Sequence, residues 1–205
     1  MTREDFLARV RGALHRSAAD PVGAPPQPPP SRPDWDGSDL LAEFARQAEA
    51  VSTQVKKAEG LEEARRILRE LLTDLGASSC LRSSDALIEE LLQGTDLPVA
   101  REPETADVGI TGVHLAIAET GTLVLSSEAG RLAGLLPMAH IAVVREDQVV
   151  ATLTEAIAWA QRRLPAAWVQ ATGPSRTADI ELTLTTGVHG PGVVHVIALG
   201  STATD

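Results

Sequence analysis

The chain has 205 residues, 43% of them apolar and 2% aromatic, and carries a formal net charge of −10 at pH 7. That apolar share excludes a disordered chain and suffices for one full domain plus a small appendage. The acidic balance repels nucleic-acid backbones and anionic lipid surfaces at long range, and an aromatic share of 2% with no tyrosine weakens a single-strand reading, which needs stacking platforms.

Residues 2–17 read as a short amphipathic helix. Thr2 can cap it with Asp5 in the reciprocal place, and Phe6, Val10 and Leu14 repeat every fourth residue. Glu4 and Asp5 interrupt any apolar run, so no secretory leader is read there. Residues 19–34 read as a linker. Pro21, Pro25, Pro26, Pro28, Pro29, Pro30 and Pro33 favour an extended polyproline spacer between residues 1–18 and a main domain over 35–205.

The main domain opens with helical periodicity from Asp39 to Lys57 through Leu40, Leu41, Phe44, Ala48, Val51 and Val55. Leu61–Leu75 is a second helix, stopped by Gly76. A short strand over Ser78–Leu81, a helix over Ser84–Gln93 and a strand over Leu97–Arg101 follow. Beyond residue 105 the pattern turns to β. Strands are predicted at Val108–Thr111, His114–Ala118 and Thr122–Ser126, and the apolar run His140–Val144 reads as a strand buried on both faces. Leu153–Arg163 is a helix, and Trp168–Ala171 and Val194–Leu199 are strands. Helices alternating with short buried strands predict an α/β fold. No apolar run approaches the roughly 18 residues of a membrane span. The single cysteine, Cys80, can form no internal disulfide, cannot by itself hold an iron–sulfur cluster, and fits a reducing cytoplasm.

Three polar, glycine-bearing loops concentrate the chemistry, and all three are expected at strand carboxyl ends, where open α/β sheets bind ligands. In Glu119-Thr120-Gly121-Thr122, a carboxylate and two hydroxyls surround a glycine. Glu119 is a candidate base or nucleophile, and Thr120, Gly121 and Thr122 are candidate anion contacts. The competing reading is a hairpin turn with a solvated glutamate. In Gly173-Pro174-Ser175-Arg176-Thr177, Ser175 is a helix cap and Arg176 supplies positive charge, with Asp179 close enough to fix it. Gly173, Ser175, Arg176, Thr177 and Asp179 are therefore candidate ligand residues, against an ordinary cap with a surface ion pair. In Gly187-Val188-His189-Gly190-Pro191, Gly187 and Gly190 present His189 at a loop tip, as a candidate acid–base group or as an incidental turn residue. His114, His140 and His195 lie in apolar strand patterns and read first as core residues, His114 being of most interest for its closeness to Glu119. No metal-ligand spacing, Walker loop or GxGxxG fingerprint is present.

The runs Ala106–Thr111 and Ala116–Leu125, with Leu136–Ile141, Gly173–Glu181 and Gly187–Pro191, resemble the LUD-domain family of lactate-utilization protein C. The resemblance covers roughly the C-terminal half. It implies a three-layer α/β/α fold with a largely parallel sheet, like glucosamine-6-phosphate deaminase, ribose-5-phosphate isomerase and the coenzyme A transferases. It also implies a cytoplasmic component of L-lactate oxidation to pyruvate, a non-redox subunit binding a small anionic ligand. No cofactor is expected in this chain; iron–sulfur clusters are expected only on the partner subunits, lactate-utilization proteins A and B. Two other classes stay open: a stand-alone enzyme on a carboxylate, phosphosugar or coenzyme A ester, with Glu119 reacting and His189 shuttling protons, and a ligand sensor or scaffold. Assembly as a homo-oligomer also stays open.

Overall fold

The computed structural model describes residues 2–13, 15, 38–127, 131–162, 165–177 and 185–200. The chain divides into two units, Met1–Pro30 and Ser31–Asp205. In the first, helix α1 spans Arg3–Ala13, and Thr2 and Asp5 cap it reciprocally as expected. Phe6 and Val10 of its stripe are exposed, while Leu14 and the proline-rich linker lie outside the described residues.

The second unit is built on a five-stranded sheet whose pairings are all parallel. Its strands are β1 (Gln54–Ala58), β2 (Cys80–Arg82), β3 (Val108–Gly112), β6 (Ala139–Arg145) and β11 (Val193–Leu199), in the order β1-β11-β6-β3-β2. A parallel sheet must be covered on both faces, which explains why β3 is buried at every position. Helices α3 (Leu61–Asp74) and α4 (Ala86–Leu91) cover one face. The α3 stripe Ala64, Ile67, Leu68, Leu71 and Leu72 repeats at three- and four-residue spacing, and it packs with Ile88 and Leu91 of α4 on Val108, Ile110, Ile141, Val143 and Ile197. Each such fully buried side chain is worth roughly 1.5–3 kcal/mol over its exposed state.

The opposite face is covered by α2 (Leu40–Ala50) and by a second sheet of β4 (Leu115–Ile117), β5 (Thr122–Ser126), β7 (Val149–Val150) and β8 (Trp168–Ala171), in the order β7-β4-β5-β8. Phe44 and Ala48 of α2 join Ala116, Ala118, Leu123 and Leu125 against Ala142, Val144, Val194 and Val196. The far side of the second sheet packs Leu115, Ile117 and Val124 on Ala156 of α5 (Leu153–Arg162). The expected α/β class and parallel sheet are thus present, with helices on both sides of the sheet.

Two sequence expectations need correction. The helix expected over Asp39–Lys57 ends at Ala50. Ser52 takes φ +71° and Thr53 N–H returns to the Ala48 carbonyl, so the chain reverses at once into β1. Val55 suited a helical stripe and a strand equally, and pairing with β11 decided it. The strand expected over Leu97–Arg101 is a single bridge, Cys80 to Val99, that covers the β2 edge.

Candidate functional site

The three loops converge, at the opposite end of the sheet from the one expected. The five parallel strands begin at Gln54, Cys80, Val108, Ala139 and Val193, and α2 delivers the chain to that amino end through Val51 and Ser52. All three loops gather there because their local contacts run to α2 or to the segments that open β6 and β11.

Gly121 has φ +64°, and a Cβ on it would lie 2.3 Å from the Ala48 nitrogen. The space left by its missing side chain is taken by the backbone of α2. Beside it, the hydroxyls of Thr120 and Thr122 stand 2.7 Å apart. The buried Thr122 hydroxyl stands a further 2.7 Å from that of Thr172. This three-hydroxyl chain runs from one exposed end to the other and joins the first loop to the second. Glu119 turns away from it. Its Oε1 accepts from the Leu153 N–H at 2.6 Å and caps the start of α5, which commits one carboxylate oxygen to a structural bond.

In the second loop Gly173, at φ +75°, packs on the Val51 carbonyl, where a Cβ would lie at 2.4 Å. Arg176 donates through Nη2 to that carbonyl at 3.2 Å and to Ser52 Oγ at 2.5 Å. A cation on the last carbonyls of α2 is well placed for the helix dipole. The other guanidinium nitrogens make no hydrogen bond among the described residues. The helix start expected at Ser175 is not formed: Arg176–Thr177 is strand β9, paired antiparallel with β10 (Thr185–Thr186). Asp179 lies outside the described residues.

The third loop lies against the second. Ser175 N–H donates to the Pro191 carbonyl at 2.8 Å, and Gly187 N–H to the Ser175 carbonyl at 3.0 Å. A Cβ on Gly190 would sit 3.4 Å from Ser175 Cβ. His189 is exposed and has no hydrogen-bond partner among the described residues. Thr172, Val51 and Ser52 belong to this cluster, and no motif in the sequence marked them; only the positive φ of Ser52, visible in the fold, singles one out.

The other histidines are placed differently. His140 is 1% exposed, with Nε2 2.9 Å from Thr111 Oγ1, and burial pushes its pKa down to about 4. His195 is also buried and its pKa is lowered, first by burial and then by Lys56, with Asp74 opposing; its Nδ1 has no hydrogen-bond partner among the described residues. His114 is half-buried, with Nε2 3.2 Å from Ser126 Oγ and its ring edge-on to Trp159. Among the described residues there is no group of three or more metal-ligating side chains, and no helix is long and apolar enough to cross a membrane.

The profile of the LUD domain matches residues 89–199, more than half of the chain. A lactate utilization protein C from Bacillus mycoides is 31% identical over 92% of this chain and 93% of its own length. The chain belongs to the LUD-domain family. Another relative, a lactate utilization protein C from Deinococcus radiodurans, is 44% identical, over 48% of this chain and 49% of its own length, so that match spans about half of each protein. Among solved structures, a DUF162 family protein from Deinococcus radiodurans superposes with a TM-score of 0.58 at 27% identity, covering 78% of this chain and 96% of that one. The LUD match takes in the first loop, the second and the third, while the end of α2 that they meet, Ala48 to Ser52, precedes the matched segment.

Proposed function

We propose that this LUD-domain chain serves L-lactate utilization in the cytoplasm as a non-redox subunit, binding a small anion where its three loops meet the end of α2. The match over nearly the full length of a lactate utilization protein C carries the first half of this reading. The single, buried cysteine supports the second: burial pushes its thiol up, with Arg82 opposing, and one thiol of that kind moves no electrons through a cluster. Iron–sulfur partners of the kind named lactate-utilization proteins A and B would supply the redox centres.

At the loop cluster the anion would meet the uncommitted edge of the Arg176 guanidinium, the exposed ends of the threonine chain and His189. These are donors of the type that hold carboxylates. The bond that Glu119 makes to α5 argues against a stand-alone enzyme reacting through it.

Thermal melting with L-lactate and with pyruvate tests the site. A ligand at ~100 times its dissociation constant adds about 2.7 kcal/mol, a rise of several degrees for a domain of this size. Arg176→Gln lowers the basal midpoint slightly, because two bonds to the end of α2 are lost, and abolishes the ligand-induced rise. A rise that persists in Arg176→Gln places the anion elsewhere.

A further inference from the structure

The layer of α3 and α4 holds a cavity that the loop cluster does not use. Its volume is about 350 Å³, at the lower end of the range for small-molecule sites. It lies between the carboxyl half of α3 and residues 94–97, the segment that leads from α4 to the β2 edge. Both walls are anchored. Where α3 ends, Ala77 N–H returns to the Leu72 carbonyl at 3.0 Å. Across from it Thr95 N–H returns to the Leu92 carbonyl at 3.0 Å. Cys80 N–H donates to the Pro98 carbonyl and Ala100 N–H to the Cys80 carbonyl, which holds the segment on β2. Leu72, Ala77 and Leu97 supply the apolar lining and pack into the core beneath.

Two opposite charges line this cavity, and neither is spent. Arg69 and Asp96 make no ion pair and no side-chain hydrogen bond among the described residues, with each other or with a neighbour. Arg66, one turn earlier on α3, shows the contrast: it pairs with Glu63 at 3.1 Å and with Glu70 at 2.6 Å. The adjoining cavity along α3, which Arg66 lines together with Arg69, therefore adds no second unpaired cation. Of the two hydroxyls in the wall, that of Thr73 donates to the Arg69 carbonyl at 2.8 Å and is committed. That of Thr95 is buried and has no hydrogen-bond partner among the described residues. An unpaired buried hydroxyl is a cost that a bound polar group removes.

An unpaired guanidinium takes a carboxylate, an unpaired carboxylate takes an ammonium, and a hydroxyl serves either. Apolar side chains beside them take hydrocarbon. We infer that the cavity between α3 and residues 94–97 binds a free α-amino acid with an apolar side chain, its carboxylate on Arg69, its ammonium on Asp96 and its side chain on Leu72, Ala77 and Leu97. A simple anion would leave Asp96 unanswered and a simple cation Arg69; a zwitterion satisfies both. The site is independent of the loop cluster, whose contacts run to α2 on the opposite face of the sheet, and of any part in lactate utilization.

Nuclear magnetic resonance on the full chain tests it, following the Gly94 and Thr95 amides. The probe is L-leucine. 4-Methylpentanoate lacks only its ammonium, 3-methylbutan-1-amine only its carboxylate, and glycine its side chain. Saturable shifts are expected with L-leucine. Each half-ligand binds roughly threefold more weakly, as one exposed ion pair gives, and glycine about tenfold more weakly, as loss of a partly buried side chain gives. Arg69→Gln erases the advantage of L-leucine over the amine, and Asp96→Asn its advantage over the acid. Both residues are exposed, so both variants keep the fold, which unchanged amide shifts elsewhere in the spectrum check. Absence of saturable shifts with L-leucine, L-leucine binding no tighter than one or both half-ligands, or either variant binding it as the natural chain does overturns the inference. Arg176→Gln leaves the L-leucine shifts unchanged, so failure here and failure at the loop cluster are read separately.

Discussion

Gly109→Ala is expected to cost about 3 kcal/mol of folding stability, the largest loss from any single added methyl in the domain. A Cβ on Gly109 would lie 1.6 Å from the Ala133 carbonyl oxygen and 2.7 Å from its carbon. Both are backbone atoms of a short 3-10 turn, Arg131–Gly134, seated directly on β3. No rotamer change relieves that contact, so the turn must lift or the strand must shift. Urea unfolding measures the loss. A change under about 0.5 kcal/mol would mean that the turn gives way freely and does not seal this face of the sheet.

Lifting that turn has a second consequence. A Cβ on Gly134 would lie 3.3 Å from His140 Cε1, so the same turn roofs the buried imidazole. Desolvation is what holds the His140 pKa near 4, against an ordinary value of 6.5. Between those values the unfolded chain binds a proton that the folded chain refuses. Stability is therefore full above about pH 6.5 and falls as the pH drops toward 4, by about 3 kcal/mol across the window. The lowered pKa of His195 adds loss of the same sign. Urea midpoints at pH 7 and pH 4.5 measure the slope. His140→Gln can keep a bond to Thr111 but cannot titrate, so most of the slope should vanish in it. A slope that survives in His140→Gln assigns the acid sensitivity elsewhere.

The fold was legible in the sequence where one pattern had one solution. The α3 stripe and the run His140–Val144 could be placed because a helix face and a doubly buried strand each leave a distinct periodicity. Val55 could not, since it serves a helical stripe and an edge strand alike. The three loops were legible as a group but not in position. Glycine content shows that backbones come close, not to what: Gly121 and Gly173 approach α2, whose end lies about 70 and 120 residues earlier in the chain. Arg176 showed charge, but its bond to the Val51 carbonyl depends on a turn that the sequence read as helix.

These placements leave a domain with polar groups gathered at the amino end of one parallel sheet, within a family whose relatives carry a name for lactate utilization. Growth on L-lactate as sole carbon source, in the source strain with this coding segment deleted in frame, tests that reading most directly. Loss of growth on L-lactate, with growth on pyruvate intact and rescue by the restored segment, is the predicted result; undiminished growth on L-lactate in a strain with no second copy would contradict it.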